Sequence, residues 1–145
     1  MAYKAIEIAN KILSRAASSD SGELISNMKL QKLLYYMQGF HLAYFESPLF
    51  EEEIEAWMYG PVVPCVYNEY KGYANAGLSP HEEIITLGEE EEKLFDEVYN
   101  VYGEYSAIGL MNLTHQESPW KNVPTGVGNV IPKETMKEFF KTRIE

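Results

Sequence analysis

Between residues 2 and 17, Ile6, Ala9, Leu13 and Ala16 recur at steps of three and four, and Ile8 and Ile12 widen the stripe. This spacing predicts an amphipathic helix. The polar stretch 18–22, with Gly22 at its end, offers local hydrogen bonds that compete with helix, so a loop is expected there. A second helix is expected from Met28 to about Phe45, capped by Asn27 and stopped near Ser47-Pro48. Leu30, Leu33, Leu34, Met37, His41 and Tyr44 line one side of it, and Tyr35, Tyr36 and Phe40 make a second side apolar. A helix this broadly hydrophobic belongs in the centre of a fold, with neighbours on more than one face.

From Glu52 to Tyr59 the period shortens to two. Ile54, Ala56 and Met58 are expected to point to the core, and Glu53, Glu55, Trp57 and Tyr59 away from it, in a strand ended by Gly60-Pro61. A short helix over 64–71 and a glycine-containing loop over 72–77 should follow. Further short strands are predicted at 84–87 and 129–131, at least one of them pairing with the first, because a lone strand is not stable. The acidic run Glu89 to Glu92 suits a helix N-terminus and precedes the apolar series Leu94, Phe95, Val98, Val101 and Tyr102. Ser106 should cap a short helix reaching Leu113, Ser118-Pro119 should open another, and Pro132 should open a last one with Met136, Phe139, Phe140 and the stem of Arg143 inward. The expected fold is α+β and mainly helical, a single compact domain over residues 1–145 with a small antiparallel sheet.

Composition narrows what such a fold can do. No apolar run is long enough to cross a bilayer, and the first residues lack the basic and apolar regions of a secretory signal. Cys65 is the one cysteine, so no disulfide forms within the chain, and a cytoplasmic location is expected. The formal net charge of -10, with carboxylates gathered at 51–53, 82–83 and 89–92, opposes a phosphate backbone and favours a basic protein partner. Lys133, Lys137, Lys141 and Arg143 fit a terminal helix better than a nucleic-acid patch.

Candidate chemistry is sparse. His41 lies on the apolar stripe of the second helix and reads as a hydrogen-bonded core residue, His81 follows Pro80 in a loop, and His115 reads as local architecture. Cys65 would act as a nucleophile only with a histidine beside it, and is expected to be a packing residue. Phosphate loops, zinc spacings and nucleophile elbows are missing, so neither a cofactor nor a metal nor an enzymatic role is expected. The competing reading is a small hydrolase using Cys65 or His115 with a glutamate.

Three blocks together resemble one known family: Met28-Lys29-Leu30-Gln31-Lys32-Leu33-Leu34-Tyr35-Tyr36, then Ile54-Glu55-Ala56-Trp57-Met58-Tyr59-Gly60-Pro61-Val62-Val63-Pro64, then Leu113-Thr114-His115 with Ser118-Pro119-Trp120. In this order they resemble the Panacea-domain family, also called SocA-like or phage-associated GepA-like. The resemblance implies an antitoxin that binds and neutralises a toxin encoded beside it, in prophage or other mobile elements. It also implies toxins of diverse kinds, toxic small alarmone synthetase-like enzymes among them, and for one described role delivery of the toxin to an intracellular protease. Many members carry an added DNA-binding or other domain, and none is expected within these 145 residues. A general adaptor of a mobile element is the bland alternative. Trp57 and Tyr59, placed among Glu53 and Glu55 on the outward side of the strand, are the expected partner-binding residues, because tryptophan and tyrosine dominate binding hot spots.

Overall fold

Helix α2 (Asn27–Phe45) runs through the middle of the molecule, and every residue from Leu30 to Ala43 is buried. Its neighbours in the computed structural model, which describes residues 2–18, 24–73, 77–81 and 83–144, surround it as its composition requires. They are α1 (Ala5–Ala17), the strand β2 (Gly60–Val62), α3 (Pro64–Tyr70), α4 (Glu89–Tyr102), α5 (Ala107–Thr114) and α7 (Lys133–Lys141). A short α6 (Ser118–Lys121) packs on α7, and a single 3-10 turn, Lys71–Tyr73, extends α3. No helix among the described residues is long and apolar enough to cross a membrane.

The caps sit close to their expected places. Ser26, not Asn27, caps α2, its hydroxyl accepting from the Lys29 N–H at 3.3 Å. Asn27 is the first helical residue, and its side-chain amide donates to the Tyr67 carbonyl instead. The first helix begins later than its apolar pattern suggests, because the Tyr3 N–H is taken by the Leu49 carbonyl at 2.8 Å in an isolated bridge to Phe50. Ser106 caps α5 as expected, accepting from Gly109 N–H. The loop expected at 18–22 falls mostly outside the described residues, as does part of the one at 72–77.

Polar side chains buried on the helices satisfy the backbone of the irregular segments. Gln38 accepts from Leu49 N–H and donates to the Phe50 carbonyl, both at 2.7 Å. Gln31 accepts from Val63 N–H at 2.9 Å and donates to Asn27. Asn10 accepts from the Tyr70 hydroxyl and the His81 N–H. Each fixes a loop to a rigid helix and leaves no buried donor without a partner at that point.

The sheet differs from the expectation. Instead of one strand from Glu52 to Tyr59, β1 (Glu55–Trp57) turns back through Met58-Tyr59 into β2, pairing antiparallel with Trp57 opposite Gly60. Gly60, at φ +122°, closes this turn; among the described non-glycine residues only Glu46 has a positive φ. Ile54 and Ala56 are buried as expected, but Met58 is 66% exposed, because a residue in a two-residue turn has left the alternation of the strand. On the other edge of β1, Val130 forms a bridge to Glu55, flanked by bonds from Ala56 N–H to the Asn129 carbonyl and from Ile131 N–H to the Ile54 carbonyl. The strand predicted at 129–131 is thus reduced to one bridge. The segment 84–87 is not a strand: Lys11 Nζ donates to the Ile85 carbonyl and Leu87 N–H donates to Glu92, so side chains replace a ladder partner.

Candidate functional site

A cavity of about 610 Å³ opens beside the hairpin. Its floor is the first half of α2, one wall is the hairpin from Trp57 to Val62, a second is Tyr67 and Lys71, and a third is the loop 125–127. That loop is held on β1 by Gly126 N–H donating to the Ala56 carbonyl and Gly128 N–H donating to Glu55 Oε1 at 2.7 Å. The same Glu55 oxygen accepts from Trp57 Nε1 at 2.9 Å. The Trp57 ring stands edge-on to Tyr67, with centroids 5.0 Å apart.

At the floor lies Lys32, a lysine only 1% exposed. Its ammonium donates to the Met28 carbonyl at 3.3 Å, and no ion pair to it exists among the described residues. Burial alone pushes its pKa from 10.5 down to about 8. The unfolded chain therefore binds more protons than the folded chain between pH 8 and 10.5, and this residue makes stability rise with pH over that window. Lys32→Met should abolish the rise and, at pH 7, be neutral or more stable by about 1–3 kcal/mol. Chemical unfolding of both proteins at pH 7 and pH 10 checks this, and parallel pH responses would contradict it.

Beneath the cavity the three blocks of the sequence meet. A Cβ at Gly60 would lie 2.9 Å from Lys32 Cε and 3.1 Å from Thr114 Oγ1, so the hairpin approaches α2 and the end of α5 only with glycine there. His115 stacks on Trp120 with ring centroids 4.0 Å apart, and Trp120 Nε1 donates to the Trp57 carbonyl at 2.8 Å. Burial and the Lys32 ammonium lower the pKa of His115, with the Met58 backbone opposing them, and its buried Nε2 has no hydrogen-bond partner among the described residues. Next to it, Glu117 accepts from Tyr35 at 3.0 Å and Tyr36 at 2.9 Å. Burial raises the Glu117 carboxyl despite those two hydrogen bonds.

The remaining candidates from the sequence lie elsewhere. His41 bonds to the Ser47 carbonyl and to Glu91 Oε2 at 2.6 Å, and His81 bonds to Glu69. No histidine hydrogen bond to Cys65 exists among the described residues; its exposed position carries a thiol whose pKa is raised by partial burial and the Glu52 carboxylate. That is the reverse of what activates a thiol nucleophile. Tyr59 is 58% exposed at the rim, whereas Trp57 is half-buried. Glu53 pairs with Lys133, and Glu55 is engaged by Trp57 and Gly128. Lys137 and Lys141 both reach Glu46 at 3.3 Å, and the Arg143 guanidinium lies over Phe139, so the C-terminal cations lie along α7 against neighbouring acidic and aromatic groups.

A profile of the family described as Antitoxin SocA-like, Panacea domain, matches residues 30–121, from α2 through α6. The chain belongs to this family. It is also 32% identical over 134 residues to Antitoxin SocA of Caulobacter vibrioides (strain NA1000 / CB15N), covering 83% of this chain and 70% of that one. No solved structure matches. Within the Panacea match, Lys32 of the first block, Gly60 of the second and Thr114 and His115 of the third are one packed unit under the hairpin. Reading the blocks separately misses Lys32 as part of a site, although a lysine between Leu30-Gln31 and Leu33-Leu34 on a helix apolar all round has no open face to occupy.

Proposed function

We propose that this chain is an antitoxin that binds and neutralises a protein toxin, and that the toxin docks on the hairpin face. Membership in the SocA-like, Panacea-domain family carries the reading. The surface supports it. Met58 is 66%, Tyr59 58% and Val127 81% exposed, and all three rim the same cavity. Large apolar side chains gathered at a concave site are costly in water and suited to a partner, with Tyr59 the expected anchor and Trp57 a partly packed support beside it. Glu53, exposed nearby, and the net charge of -10 favour a basic partner, whose approach they would speed. Stoichiometric binding asks for no reacting group, in keeping with the raised thiol pKa of Cys65.

The test is growth. Expression of the neighbouring reading frame alone should arrest cells, and co-expression of this chain should restore them, with Cys65→Ser protecting as well as wild type. A neighbour that is harmless alone, or stays toxic in the presence of this chain, would reject the reading. Delivery to a protease would add a shortened toxin lifetime during rescue, whereas sequestration leaves the toxin level unchanged.

A further inference from the structure

Among the described residues the charged groups lining the cavity are Lys32 and Lys71, in a chain that carries 22 acidic residues against 12 lysines and arginines. The sign of charge is locally reversed. The Glu55 carboxylate beside the cavity does not offset it, being directed to Trp57 Nε1 and Gly128 N–H. Asn27 and Gln31 on the floor are engaged with the Tyr67 carbonyl, Val63 N–H and each other. The Lys32 ammonium, in contrast, carries three donors and makes, among the described residues, one hydrogen bond, 3.3 Å to the Met28 carbonyl. A buried cation without an ionic partner at the floor of an open cavity is a place for an anion. The walls beside it are apolar: Trp57, Met58, Val62, Tyr67 and Val127.

We propose that this cavity binds the C-terminal carboxylate of a protein partner, together with an apolar last side chain. A chain end brings both groups on one Cα, so a single residue can meet the ammonium and pack on the apolar walls. An internal glutamate or aspartate carries its carboxylate on a short stem with the backbone continuing on both sides. It reaches a floor residue 1% exposed less readily, and its own side chain has no apolar group left for the walls. Only the identification of that partner with a toxin rests on the antitoxin reading.

Calorimetric titration of the whole chain tests the proposal with N-acetylated tripeptides ending in leucine or phenylalanine, as free acids and as C-terminal amides. An amidated peptide with an internal glutamate completes the set. The free acids should bind at millimolar concentration or below, the amides at least about tenfold more weakly, and Lys32→Met should weaken the acids by at least about tenfold with an undiminished melting temperature. Acid and amide binding equally, the internal glutamate matching the free acid, or no peptide binding would each overturn it. The acid and amide comparison uses wild-type protein and does not depend on the variant folding. Failed titrations beside intact growth protection would remove the chain-end site and leave neutralisation standing; successful titrations beside failed protection would do the reverse.

Discussion

Gly39→Ala is expected to lower stability by about 1–3 kcal/mol, although alanine is the better helix former by up to about 1 kcal/mol. Gly39 lies inside α2 where α7 crosses it, and a Cβ there would lie 2.1 Å from Phe140 Cε2 and 2.2 Å from Cδ2, far inside van der Waals contact. The ring has nowhere to move. Phe140 is fully buried, with Phe40 at 4.8 Å, Tyr35 at 5.3 Å and Tyr36 at 5.8 Å between ring centroids. Overpacking a site enclosed by other rings forces off-rotamer side chains or shifts α7 outward. The cost should be smaller when measured in a Phe140→Leu background, since the shorter side chain vacates the space the new methyl needs. A double-mutant cycle by chemical unfolding measures this coupling. Gly39→Ala as stable as wild type would mean that the two helices do not meet as closely as described.

The helical part of this arrangement was legible because it rests on a strong signal. The apolar residues of 28–45 cover the whole circumference, and the helix they form is the one the others surround. The SocA-like resemblance was legible for a related reason: its blocks, distant along the chain, are the residues that pack on one another at Gly60, Thr114, His115 and Trp120. What sequence alone misplaced was decided by neighbours. Ile84 to Leu87 has the composition of a strand, but Lys11 and Glu92 reach its backbone first. Met58 continues an alternation that ends one residue earlier, at a turn made possible by Gly60. Lys32 and Glu117 look like ordinary surface charges in a list of residues. Only the approach of the hairpin to α2, and of Tyr35 and Tyr36 to one carboxylate, buries them.

If the toxin docks on the hairpin, as proposed, its tip is where recognition and folding separate. Trp57 holds the fold, since its indole N–H holds Glu55, its carbonyl accepts from Trp120, and its ring packs on Tyr67, and in the proposed docking it would also meet the partner. Truncating it should disturb the hairpin as well as the partner. Met58 and Tyr59 point away from that network and are mostly exposed. Their removal costs the folded chain little, and if the toxin docks here it removes anchors from the centre of the contact. The most direct measurement is therefore a binding isotherm for the purified toxin with wild type, Met58→Ala and Tyr59→Ala, beside a melting curve for each. Weakening by about 1–4 kcal/mol, roughly tenfold to a thousandfold in Kd, with unchanged melting is the predicted result. Unchanged affinity in both stable variants would contradict it and move the toxin to another face.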